Sequence, residues 1–128
     1  MLFRSALRDE REKTLEGFVR AIFKTPPSDS EVSALVSGAK RMPLAESLAL
    51  LSYPFPRTHW KEIAHAFKQP LLYAVTPQFE AQARNLQKNR PGTEVEIFAD
   101  AGHALFVDEP ARFNEMVLRF ARRVSGQR

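Results

Sequence analysis

The chain has 128 residues, 44% of them hydrophobic and 27% charged, which suits a single ordinary globular unit, and with no cysteine it excludes disulfide frameworks, thiolate nucleophiles and cysteine metal sites. Its formal charge of +4 is scattered, except for Arg119, Arg122, Arg123 and Arg128, and those lack the interleaved aromatics or recognisable fold of a nucleic-acid binder. That basic group reads as a solvated helix face and tail, and no nucleic-acid partner is expected. No apolar run reaches the roughly 18 residues of a membrane span, and residues 1–20 are too charged for a signal-peptide core, so the sequence reads as cytoplasmic with no membrane partner.

In chain order, Leu15, Phe18, Val19, Ile22 and Phe23 recur at helical spacing and predict an amphipathic helix from Leu7 to Phe23. Pro26 and Pro27 end it. Ser28 or Asp29 can cap a second helix, whose apolar face is Val32, Leu35 and Val36 and which runs to about Lys40. A third helix is expected from Leu44 to about Leu51, then an extended Tyr53-Pro54-Phe55-Pro56 segment, then a helix from Thr58 to Phe67.

At Pro70 the pattern changes. Leu71-Leu72-Tyr73-Ala74-Val75 is continuously apolar with no helical period, which predicts a strand of a parallel sheet buried on both faces. A helical stretch from Phe79 to Asn89, closed by Arg90-Pro91-Gly92, leads to a second strand from Glu94 to Phe98, making a βαβ unit. Pro110 opens a final helix whose buried stripe is expected at Phe113, Val117, Phe120 and Val124.

The chemistry is expected in the loop from Ala99 to Glu109, because open α/β sheets bind ligands beyond the C-terminal ends of their strands. Gly102 frees the backbone to turn sharply, and His103 then projects an imidazole suited to accept and return a proton near neutral pH. An arbitrary loop histidine is more often satisfied by neighbouring backbone. Here the context differs. Asp100-Ala101-Gly102-His103-Ala104-Leu105-Phe106-Val107-Asp108-Glu109-Pro110, with Phe113-Asn114 in the helix that follows, resembles the histidine loop and last helix of the α/β-hydrolase family.

The resemblance is close over about the last 60 residues. It implies an α/β class and a partial α/β-hydrolase fold: a short-helix lid over residues 1–68, then a βαβ unit of parallel sheet and a C-terminal helix over residues 69–128. It also implies that His103 is the catalytic histidine of a nucleophile-His-acid triad acting on a small ester, or on a similar carbon electrophile such as a halide or epoxide. No metal or cofactor is implied. Lid aromatics line the pocket in this family, so Phe55, Trp60 and their neighbour Tyr53 become candidate substrate-binding residues, together with Leu105 of the loop. The bland reading is that the aromatics only pack the helices.

The sequence departs from the family at two points. No Gly-x-Ser-x-Gly or Gly-x-Asp-x-Gly elbow occurs, since no two of Gly17, Gly38, Gly92, Gly102 and Gly126 are four residues apart. The acid often found just after the penultimate strand is also missing, because Val75 is followed by Thr76-Pro77-Gln78-Phe79. Glu80 should fall in a helix, and Asp100 should serve the loop's own backbone. Nucleophile and acid are therefore expected upstream of Met1. Two strands cannot pair both of their edges, so the chain is expected to form a homo-oligomer through the edge strand Leu71–Val75, or to bind a partner chain that supplies the missing strands. The alternative function is a non-catalytic, truncated or split hydrolase module that binds such a partner.

Overall fold

The structure, a computed structural model, describes residues 2–52 and 54–126. It divides into two compact units, Met1–Pro54 and Phe55–Arg128.

The first unit is helical. Helices α1 (Leu2–Asp9), α2 (Arg11–Ile22), α3 (Asp29–Lys40) and α4 (Leu44–Leu50) follow one another through short turns. The single helix expected from Leu7 to Phe23 is in fact two, parted at Glu10, where φ is −137° and ψ is 58°. Val19 on α2 packs with Val32 and Val36 on α3, while Phe18 and Leu35 remain nearly half exposed, so the buried stripe is narrower than the periodicity implied. Ser28 caps α3 with a capping box. The Glu31 N–H donates to Ser28 Oγ (3.4 Å), and the Ser28 N–H donates back to Glu31 Oε2 (2.9 Å). The Ser28 hydroxyl and N–H also hold the Glu31 carboxyl below the usual range.

The second unit contains α5 (Arg57–Ala66), β1 (Leu71–Val75), a 3-10 turn (Pro77–Phe79), α6 (Glu80–Asn89), β2 (Thr93–Ile97), α7 (Leu105–Asp108) and α8 (Pro110–Ser125). β1 and β2 pair in parallel, from Leu71 opposite Thr93 to Val75 opposite Ile97. Side chains alternate between the faces of a strand, and each face meets a different helix. Leu72 and Ala74 pack with Phe98, Leu105 and Met116, which places α8 on their side. Leu71 and Tyr73 face α5 and α6.

That alternation also sorts charge. Glu94 and Glu96 stand on the α8 face, where Glu96 pairs with Arg119 and Arg112 and Glu94 pairs with Arg123. Two of the arginines read as a solvated face are therefore bound to β2; Arg128 lies outside the described residues. On α8 the buried residue is Met116, with Phe113, Phe120 and Val124 half-buried beside it, whereas Val117 is 41% exposed. The expected stripe thus holds at three positions, with Met116 in place of Val117. β1 also departs from expectation: only Val75 is buried, and Leu71 to Ala74 are half-buried, because among the described residues the sheet has two strands.

Arg90 ties the start of both strands together. Only 8% exposed, its guanidinium donates from Nε to Phe67 O (2.6 Å), from Nη1 to Thr93 Oγ1 (3.1 Å) and from Nη2 to Gln69 O. It also lies over the Phe67 ring, 5.8 Å from the centroid. Pro91 and Gly92 make the turn that delivers Thr93, with Gly92 at φ 86°, where a side chain would be strained. A lysine cannot reproduce three donors held in one plane. Arg90→Lys is expected to destabilise the chain by about 1.5–3 kcal/mol, read as a lower urea midpoint with an unchanged m-value.

Candidate functional site

Parallel pairing brings the C-terminal ends of β1 and β2 to the same edge of the sheet. The segments that follow them, Thr76 to Phe79 and Phe98 to Ala104, are therefore neighbours. The Phe98 N–H donates to Val75 O (2.8 Å), which extends the ladder one step and pins the start of the histidine loop. Phe98 itself is fully buried, with the Arg112 guanidinium over its ring at 4.2 Å. Ala101, Ala104 and Leu105 are buried on either side of His103, which stays exposed. The loop is anchored through its neighbours, and its imidazole is left open to solvent.

The carboxylate that holds this loop is Asp108, not Asp100. The Gly102 N–H donates to Asp108 Oδ2 (2.7 Å) at the end of α7, whereas Asp100 is exposed and makes no hydrogen bond among the described residues. The role of Gly102 differs from expectation as well. Among the described residues the positive φ belongs to Gly92, and Gly102 contributes its N–H to the loop.

His103 opens on a cleft of about 260 Å³. Tyr73, Ala74, Val75, Thr76, Phe79, Gln82 and Leu105 form its walls. Thr76 is 7% exposed, and its Oγ1 has no hydrogen-bond partner among the described residues. Among the described residues no carboxylate lines the cleft. Glu80 lies in α6, as expected, and pairs with Arg84 at 3.3 Å. Chemically the site is a small, mostly apolar slot with one proton acceptor at its mouth and one unsatisfied hydroxyl in its wall. Among the described residues no group of three or more histidines and carboxylates stands ready to hold a metal ion.

Of the candidate residues, His103 and Leu105 share this cleft. Trp60 lines an adjoining groove of about 740 Å³ between α5 and α6, which shares Tyr73, Phe79 and Gln82 with the cleft. Phe55 is not among the residues lining either one. It stacks on His59 with centroids 4.5 Å apart and meets Trp60 edge-on at 6.0 Å. Tyr53 lies outside the described residues. Sequence reasoning missed Tyr73, Thr76, Phe79 and Gln82 as cleft walls. Their signal was positional: odd residues of β1 share a face, and Thr76 is the first residue past the strand's end.

Removing the Asp108 carboxylate leaves the Gly102 N–H without its acceptor. Asp108→Ala is expected to lower stability by about 1–3 kcal/mol, together with faster amide exchange at Gly102, and unchanged exchange there would show that the bond does not hold the loop.

No protein-family model matches the sequence, and no curated protein does. Solved structures do. An esterase from Exiguobacterium antarcticum superposes with a TM-score of 0.76 at 17% identity, over 94% of this chain and 46% of its own. A protein described as an aryl esterase from Burkholderia cenocepacia superposes with a TM-score of 0.80 at 22% identity, over 98% of this chain and 48% of its own. The chain thus spans just under half the length of each, and over that length its architecture is a partial α/β-hydrolase fold.

Proposed function

We propose that the chain is the histidine-bearing C-terminal part of an α/β-hydrolase acting on a small ester or a similar carbon electrophile, with the helices of residues 1–68 in the role of lid. The observation that carries this reading is the placement of His103. It follows β2 at the edge of the sheet where the strands end, it opens on a cleft, and its imidazole has no partner among the described residues. A histidine so placed is free to take a proton from an attacking hydroxyl, or from the water that resolves a covalent intermediate, and to return it to the leaving group. The esterases with this fold are consistent with that chemistry.

The nucleophile would come from outside these residues, since the sequence carries no elbow. The 128-residue chain alone is therefore expected not to hydrolyse p-nitrophenyl acetate above background. Supplied with an elbow-bearing segment in cis, it is expected to do so, and His103→Ala should then lower kcat/KM by about 10²–10⁴-fold. A rate that survives His103→Ala overturns the role given to His103.

A second reading has its own support in the sheet, which among the described residues has two strands and leaves the outer edge of β1 unpaired. We propose that β1 also offers its free edge for pairing, either to a second copy or to a partner chain, as a non-catalytic module would. Size-exclusion chromatography with light scattering is expected to show a dimer or larger species. A sharp monomer peak with one cooperative thermal transition would remove this reading.

A further inference from the structure

The groove beside the cleft has a chemistry of its own. Its walls are largely apolar, with Trp60 on α5, Leu71 and Tyr73 on β1, and Phe79 and Leu86 on the α6 side. Arg57 and Lys61, exposed and four residues apart on α5, also line it. A spacing of four puts two side chains on one helix face. No carboxylate lines the groove, and neither cation forms an ion pair among the described residues. An apolar channel flanked by two unpaired cations complements a molecule with an apolar body and an anionic end. Tyr73, Phe79 and Gln82 line both groove and cleft, so the groove lies directly beside the cleft that holds His103.

We infer that this groove binds an elongated small molecule whose apolar chain or ring lies between Trp60, Phe79 and Leu86 and whose anionic group meets Arg57 and Lys61. Joined to the cleft, it selects as substrate an ester or related electrophile that carries a carboxylate or another anion at the end remote from the reacting carbon. This substrate assignment rests on the hydrolase reading; the binding does not.

Trp60 is the chain's one tryptophan, so its fluorescence reports occupancy of the groove directly. Titrating the 128-residue chain with octanoate at neutral pH should give a saturable change, with affinity about fivefold to tenfold above that of 1-octanol, the gap expected for roughly 1 kcal/mol from part-exposed cations. The double substitution Arg57→Gln and Lys61→Gln should bring octanoate down to the level of 1-octanol, with the far-UV circular dichroism unchanged. Added salt should weaken octanoate and leave 1-octanol unaffected, which tests the same charges without any substitution. Equal affinity for acid and alcohol, indifference to salt, or no saturable change overturns the inference. Ester hydrolysis by the elbow-supplied chain without octanoate binding would sink the groove alone. Octanoate binding without hydrolysis would leave the groove standing and sink only the substrate assignment.

Discussion

Everything in the second unit follows from one constraint, the parallel pairing of β1 with β2. Parallel neighbours cannot be joined by a tight turn, so the chain must cross over, and α6 is that crossover. The crossover fixes which face each strand residue occupies. Both C-terminal strand ends then lie at one edge, and that edge is where Thr76 and His103 meet in a single cleft. The cleft is a product of strand direction before it is a product of any particular side chain.

The alternation of β2 does a second job. Thr93, Val95 and Ile97 turn toward the α6 side, and Glu94 and Glu96 turn toward α8, where three arginines meet them. Such part-exposed pairs are each worth about 0–1 kcal/mol, so they specify how α8 lies across the sheet more than they hold it there. The apolar contact of Met116 with Phe98 and Leu105 supplies the holding. Charge sets the register of the helix, and burial keeps it in place.

Much of this was legible in the sequence. β1 was bounded correctly by an apolar run between Pro70 and Thr76, and α8 by Pro110, because prolines and unbroken apolar runs act locally. The position of His103 in the segment that follows β2 was legible too. What escaped depends on long-range partners. Arg90 looked like one of several scattered cations, since nothing near it in sequence shows that the carbonyls of Phe67 and Gln69 wait 23 and 21 residues away. Asp100 stands two residues from Gly102 and Asp108 six, and only the fold of α7 brings Asp108 back to Gly102. Thr76 became a site residue only once β1 had been placed beside the loop.

The Arg90 clamp also bears on the order in which the chain assembles. It joins residues that flank the entire β1–α6 segment and stand 23 apart in sequence, and the entropy of closing a ring grows only with the logarithm of its length. Once that ring closes, Leu71 and Thr93 are already side by side, and the remaining backbone pairs have only to zip forward from them. The clamp thus lies at the end of the ladder opposite the histidine loop, whose placement depends on the five register pairs between them.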